Sequence, residues 1–142
     1  MRNIMVATDG SDGANRAVDI AAELAKSLNA GLSIVTVGRP LRAEELADFT
    51  RIEGDQANPA ETLAQRNLFE AERRAQQAGI SSPKTHLVWG DPTQGIIEAV
   101  RHDKADTIVV GRRGRGRLSG LLLGSVSQKL CSLAPCVVIV AP

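Results

Sequence analysis

Residues Thr107 to Ser127 read TIVVGRRGRGRLSGLLLGSVS, and they contain the clearest pattern in the chain. The opening run, residues 107–110, is β-branched and apolar, which is typical of a buried strand in a parallel sheet. Five glycines follow between Gly111 and Gly124, and a helix is predicted to begin near Ser125. The stretch therefore predicts a strand, a glycine-rich loop and a helix in succession, as in a strand–helix–strand unit.

The same alternation of buried strands and helices covers the rest of the chain. Further strands are predicted at residues 4–7, 32–37, 84–89 and 136–140. Three further helices are predicted: one from Ala14, capped by Ser11; one over residues 60–78; and one from Pro92, capped by Asp91. Leu28 and Leu133 are expected to face the core, and the polar residues 40–59 are expected to form a surface connection with one short helical turn. Five strands and four helices require right-handed crossovers, so we predict an α/β fold with an open parallel sheet and helices on both faces.

The length and composition predict a single compact domain over residues 1–142. The chain has 43% hydrophobic and 23% charged residues and a formal charge of +1, and only 2% of its residues are aromatic. These values argue against binding to nucleic acid, which uses basic surfaces and stacking aromatics. No apolar run approaches a membrane span or a signal-peptide core, so we expect a cytoplasmic protein without membrane insertion. Cys131 and Cys136 are expected to be buried and reduced, with no metal.

The glycine loop has the composition of an anion-binding loop. Glycine allows backbone N–H groups to approach a ligand closely, and the free N–H groups at a helix start attract phosphate. Ser125 and Ser127 would add hydroxyl groups. The loop is neither a P-loop, since no lysine precedes Ser125, nor a dinucleotide-binding loop, since Ser119 stands where a third glycine is required. On spacing alone, a glycine-rich loop without a ligand is the alternative.

The spacing Gly111-x2-Gly114-x9-Gly124-Ser125 resembles the G-2x-G-9x-G-(S/T) motif of the ATP-binding branch of the universal stress protein (UspA-like) family. The resemblance extends to residues 6–11, 90–92 and 134–138, and so to essentially the whole chain. It implies a single-domain sheet of strand order 3-2-1-4-5 with the adenine-nucleotide alpha-hydrolase-like fold. Strands one and four then lie side by side, and Asp9 faces the glycine loop.

The resemblance also implies the residues that bind a nucleotide. Asp9 and the flanking backbone of Ala7 and Thr8 would hold the adenosine, together with Val37 at the end of strand two. The residues expected near the ribose and phosphates are Val110, Gly111, Arg112, Gly114, Gly124, Ser125, Val126 and Ser127. This chain departs from the family in the basic residues between the glycines, namely Arg112, Arg113, Arg115 and Arg117. They would either bind phosphate or form a solvated, charged loop.

The expected function is that of an ATP-binding regulator of the stress response, which acts through an unidentified protein partner and binds Mg²⁺ through the phosphates. We also expect a homodimer through the last strand, from Cys136 to Val140, because an apolar sheet edge favours association. No carboxylate occurs between Gly111 and Pro142, so ATP hydrolysis is expected to be slow at most. The alternatives are a slow ATPase and a nucleotide-independent interaction module that uses the loop from Arg112 to Arg117.

Overall fold

A computed structural model describes residues 1–55, 57–114 and 122–142 of the protein. The chain forms β1 (Asn3–Ala7), α1 (Asp12–Leu28), β2 (Gly31–Gly38), α2 (Ala43–Glu53), α3 (Pro59–Gln77), β3 (Lys84–Trp89), α4 (Pro92–Asp103), β4 (Thr107–Gly111), α5 (Ser125–Leu133) and β5 (Val137–Ala141). The strands form one parallel sheet in the order β3-β2-β1-β4-β5. The predicted fold class and strand order are confirmed.

Side chains of each strand alternate between the two faces of the sheet. Ile4 and Val6 of β1 belong to a core with residues of α1 and α3, whereas Met5 and Ala7 belong to a second core with residues of α4 and α5. All four side chains are buried. Strand β1 therefore lies in the middle of three layers, between β2 on one side and β4 on the other, where the strand order reverses.

The predicted surface connection at residues 40–59 was wrong, because it contains the eleven-residue helix α2. Phe49 is the buried residue of this helix, whereas Leu46 and Ile52, one turn before and after it, are 43% and 72% exposed. The helix is instead supported by ion pairs with neighbouring segments, such as Arg66 with Glu53 at 3.0 Å. A helix that is largely polar and buries one large side chain resembles a surface connection in its sequence.

Three residues that were expected to be buried are exposed. Leu28 and Leu133 are 50% and 61% exposed. Each is the last residue of its helix, and the buried residues of these helices end one turn earlier, at Ala25 and Leu130. Cys131, which follows Leu130, is an exposed free cysteine, whereas Cys136 is half-buried.

The last strand is shifted by one residue from its predicted bounds. It begins at Val137, whose N–H donates to the carbonyl oxygen of Asp106 at 3.2 Å and so starts the pairing with β4. Strand β5 is at the edge of the sheet, and Val137 is 52% exposed. Among the described residues, no helix has both the length and the apolar character needed to span a bilayer.

Candidate functional site

A cavity of about 540 Å³ opens at the carboxyl edge of the sheet, where strands β1 and β4 diverge. This volume is within the range of small-molecule sites. The wall is formed by the ends of β1, β2 and β4 and by the first turns of α1, α4 and α5. Its residues are Ala7, Thr8, Asp9, Ser11, Ala14, Val35, Val37, Arg39, Pro40, Arg42, Pro92, Ile96, Val110, Gly111, Arg113, Gly114, Gly124, Ser125, Val126 and Ser127.

The structure brings the predicted site residues together around this cavity, with the exception of Arg112. The backbone of Arg112 lies at the base of the loop, where its N–H donates to the carbonyl oxygen of Ala141 at 2.7 Å. Its side-chain Nε is buried and has no hydrogen-bond partner among the described residues. Arg113, by contrast, lines the cavity. Arg115 and Arg117 lie outside the described residues, and the nucleotide contacts of all these residues remain predictions.

The two ends of the glycine loop are joined by hydrogen bonds to one carbonyl group. The N–H of Gly124 donates to the carbonyl oxygen of Arg112 at 2.7 Å, and the Ser127 hydroxyl donates to the same oxygen at 2.7 Å. The Ser127 hydroxyl also lies 3.1 Å from the carbonyl oxygen of Gly124. Ser127 is buried and its hydroxyl closes the loop, whereas Ser125 is exposed.

Two glycines of the loop lie in close contacts within the protein. A Cβ atom on Gly114 would collide with Oδ2 of Asp9. A Cβ atom on Gly124 would lie 3.3 Å from the Cα of Arg113, which is tighter than most such contacts. The motif therefore permits the loop to approach both β1 and itself, in addition to any approach to a ligand.

Asp9 is held in a fixed position at the edge of the cavity. Its Oδ1 accepts the N–H of Ser11 at 2.9 Å, which closes a turn ahead of α1, and its carbonyl oxygen accepts Nδ2 of Asn67 at 3.1 Å. Its Oδ2 lies directly against Gly114. Asn67 belongs to α3 and was not predicted, because a single polar residue within a helix carries no sequence signal of its own.

The electrostatics of the cavity favour an anion. The first turns of α1, α4 and α5 all contribute to the wall, so the positive ends of three helix dipoles point toward it. Arg113 adds a positive charge near the glycine loop, and Asp9 is the carboxylate among the wall residues. Much of the remaining wall is apolar, with Val35, Ile96 and Val126 facing the cavity. The cavity can therefore hold a molecule with an apolar part and an anionic part.

Sequence reasoning missed the segment that follows β2. Arg39, Pro40 and Arg42 line the cavity, and the guanidinium of Arg39 forms a bidentate ion pair with Glu45 of α2 at 2.8 Å for each contact. The hydrogen bond from Arg39 is the main reason that the pKa of Glu45 is lowered to about 2. No spacing rule predicts such a pair, because it joins a loop to a helix that the hydrophobic pattern did not reveal.

A second polar cluster lies at the carboxyl end of α4. There Asp103 accepts hydrogen bonds from Ser33 at 2.8 Å, His86 at 2.6 Å and His102 at 3.1 Å. Ser33 and His86 both contact Oδ2 of Asp103, so this is no Ser-His-Asp relay, in which histidine bridges the other two. Among the described residues, no group of three His, Cys, Asp or Glu side chains is placed to hold a metal ion.

The comparisons with known proteins all point to one family. The model of the universal stress protein family matches residues 1–142. A universal stress protein of Thermus aquaticus is 34% identical, with 97% of this chain and 96% of the relative covered, and one of Bacillus subtilis is 31% identical, with 96% of each covered. The solved structure of a universal stress protein in complex with cAMP is 32% identical, with a TM-score of 0.73 over 99% of this chain and 95% of that one.

Proposed function

Because the chain belongs to the universal stress protein family, we propose that its cavity binds an adenine nucleotide, with ATP as the leading ligand. In this proposal the nucleotide-bound protein regulates a stress response through a protein partner. The observation that supports it most directly is the closed glycine loop, which meets the start of α5 opposite Asp9. The cavity is therefore bordered by backbone N–H groups, the positive end of a helix dipole and a carboxylate.

The phosphate end of the ligand would lie at Gly114, Gly124 and Ser125. The N–H groups of the first turn of α5 lack partners within the helix, so they are available to phosphate oxygens. Ser125 is exposed at that turn, and its hydroxyl adds a donor. Arg113 lines the same side of the cavity and would add charge-assisted hydrogen bonds.

The nucleoside end would lie along β1 and β2. The side chains of Val35 and Val37 offer an apolar surface to the base. Asp9 borders this part of the cavity, and its carboxylate would accept hydrogen bonds from the ribose hydroxyl groups. The cAMP-bound relative supports an adenine nucleotide as the ligand class, since it is 32% identical and aligns with nearly the whole chain.

Binding without efficient hydrolysis follows from the same set of residues. Asp9 is the carboxylate of the cavity wall, and in this proposal it serves the ribose, so Mg²⁺ would be bound through the phosphates. Phosphoryl transfer needs a group that orients the attacking water, and the sequence has no Asp or Glu between Gly111 and Pro142 to serve as one. Backbone donors that bind the ground state and the transition state equally well do not accelerate the reaction.

Mass spectrometry of the small molecules released from freshly purified protein tests the proposed ligand, followed by calorimetry with ATP, ADP, AMP, cAMP and adenosine. Asp9→Ala should weaken ATP and adenosine binding by the same factor, on the order of tenfold for a hydrogen bond to a charged group. Gly124→Val should weaken ATP binding and leave adenosine binding nearly unchanged. The matched control is Gly31→Val, because a Cβ atom there meets only ordinary contacts, at 3.4 Å or more.

The outcomes separate the proposal from its alternatives. Copurified adenine nucleotide, or micromolar binding that is lost in Gly124→Val, supports it. Absence of binding by all five compounds would favour a nucleotide-independent interaction module.

A further inference from the structure

We infer that Arg39 and Glu45 form a clamp that positions helix α2 beside the nucleoside end of the cavity and thereby sets the affinity for base and ribose. In this inference Arg39 is a positioning residue, which acts through Glu45 rather than through a contact with phosphate. The inference rests on the proposed function, because it assigns the nucleoside to this end of the cavity. We refer to the pair below as the Arg39–Glu45 clamp.

The donors around Glu45 account for both of its carboxylate oxygens. The two terminal nitrogens of Arg39 contact Oε1 and Oε2 at 2.8 Å each, and the backbone N–H and Nε of Arg42 contact Oε1 at 3.0 and 3.1 Å. Glu45 is therefore occupied by the protein itself and is a poor acceptor for a ligand. Arg39 also donates to the carbonyl oxygen of Pro40 at 3.2 Å, so its guanidinium is held on two sides.

The clamp secures the end of α2 that borders the cavity. Glu45 lies in the first turn of this helix, and the carboxyl half is attached separately, through the buried Phe49 and through Arg66. The guanidinium of Arg66 lies 6.0 Å from the Phe49 ring and pairs with Glu53 at 3.0 Å. Loss of the clamp would therefore free the amino-terminal turn of α2 while the other attachments remain.

The residues between the two partners form part of the cavity wall. Arg39, Pro40 and Arg42 all line the cavity, and they lead directly from the end of β2 into α2. Release of the first turn of α2 would move this wall away from the base. Preorganised walls of this kind raise affinity because the ligand does not have to order them on binding.

The position of β2 in the sheet separates this wall from the phosphate end. Strand β1 lies between β2 and β4, so the ends of β2 and β4 are about 10 Å apart at the usual strand spacing. The glycine loop continues from β4 and the clamp from β2. We therefore expect the clamp to affect the nucleoside and to leave the phosphate site unchanged.

Calorimetry with ATP, adenosine and inorganic tripolyphosphate as probes tests the inference. The variants are Arg39→Ala, Arg39→Lys, Glu45→Gln and the double variant Arg39→Ala/Glu45→Gln. If α2 occupies its position about one tenth of the time without the clamp, the dissociation constants for ATP and adenosine rise about tenfold. Tripolyphosphate binding should not change. Lysine keeps the charge but loses the bidentate contact, so Arg39→Lys should be intermediate.

The double variant and a matched control make the result specific. Because both residues act through one contact, the double variant should lose no more affinity than Arg39→Ala alone. The control is Arg51→Ala, which removes an exposed ion pair with Asp48 on the same helix, at 3.1 Å. It should bind all three probes like the unsubstituted protein. Hydrogen exchange of residues 40–46 should accelerate in Arg39→Ala and not in Arg51→Ala.

Each outcome bears on a different claim. If the unsubstituted protein binds ATP and adenosine but Arg39→Ala changes their affinity less than twofold, the inference is overturned and the proposed function stands. An equal loss for tripolyphosphate would also overturn it, because the effect would then lie at the phosphate site. If the unsubstituted protein binds none of the probes, the proposed function fails and the inference with it.

Discussion

Gly111 at the end of β4 lies directly against Gly13 in the first turn of α1. A Cβ atom on Gly111 would be 2.8 Å from the carbonyl carbon of Gly13, and one on Gly13 would be 2.8 Å from the carbonyl oxygen of Arg113. Neither glycine has a positive φ, so close approach of two backbones, rather than backbone conformation, requires them. The first glycine of the loop motif therefore holds β4 and the loop against α1.

Replacement of either glycine by alanine should destabilise the protein. In Gly13→Ala and Gly111→Ala the added methyl meets backbone atoms that cannot rotate away, and overpacking of this kind costs about 1 to 3 kcal/mol. Urea unfolding measures the loss, with Gly31→Ala as the control that should change stability by less than about 0.5 kcal/mol. A Gly111→Ala variant as stable as the control would show that the contact relaxes without cost.

Ser127 and Ser125 should behave differently although they are two residues apart. Ser127→Ala removes the hydroxyl that donates to the carbonyl oxygen of Arg112. The variant should therefore have a free energy of unfolding lower by about 1 kcal/mol. It should also bind ATP more weakly, because the ends of the loop are then held together less firmly. Ser125→Ala should weaken ATP binding without a loss of stability, because Ser125 is exposed. Urea unfolding and calorimetry on both variants make the comparison. Equal stability of the two variants would contradict the assignment of Ser127 to loop closure.

The Asp103 cluster should contribute stability that is lost in acid. Burial alone would raise the pKa of Asp103, but hydrogen bonds from Ser33, His102 and His86 outweigh it and hold the pKa at about 2, below the ordinary 3.8. A lowered carboxyl pKa stabilises the folded state above the unfolded pKa, and this contribution disappears as the pH falls from about 4 toward about 2.

Urea unfolding of Asp103→Asn at two pH values checks this contribution. Near pH 6 the variant should be less stable than the unsubstituted protein by about 2 kcal/mol. The difference should shrink near pH 2.5, where Asp103 is protonated in the unfolded state and begins to be protonated in the folded state. A difference that is the same at both pH values would mean that the carboxylate charge contributes nothing.

ATP hydrolysis should be several orders of magnitude slower than the roughly 1 to 1,000 turnovers per second of typical enzymes. The reason is that no carboxylate follows Gly111 in the chain and that Asp9 is assigned to the ribose. Single-turnover release of labelled phosphate, with protein freed of contaminating ATPases, measures the rate. Turnover near one per second that disappears in Gly124→Val would establish the enzymatic alternative.

Strand β5 should mediate a homodimer, since its outer edge is apolar and lies at the border of the sheet. Val137 is the better position for a test, because Val138 packs against a core cluster while Val137 is 52% exposed. Sedimentation at micromolar concentration should show a dimer for the unsubstituted protein and a monomer for Val137→Lys. A monomer in both cases would argue against association through this edge.

Most of the elements could be predicted from local patterns. Strands β1, β2, β4 and β5 are short apolar runs, and the caps predicted at Ser11 and Asp91 are confirmed, since each side chain accepts the N–H three residues ahead. The alternation of elements then implies the crossovers, and the family resemblance supplied the strand order. The cavity residues of the glycine motif also followed, because their spacing is contained within one continuous segment.

Relationships between distant segments required the tertiary structure. Three of these relationships cannot be predicted from the spacing of residues along the sequence. They are the contact of Gly13 with Gly111, the Arg39–Glu45 clamp and the hydrogen bond by which the Ser127 hydroxyl closes the loop. The spacing of apolar residues in a helix or strand indicates only which face of that element is buried. Which backbones meet, and which side chains then pair, depends on how the two core clusters pack the helices onto the sheet. That packing also gives three motif residues contacts within the scaffold, at Gly111, Arg112 and Ser127.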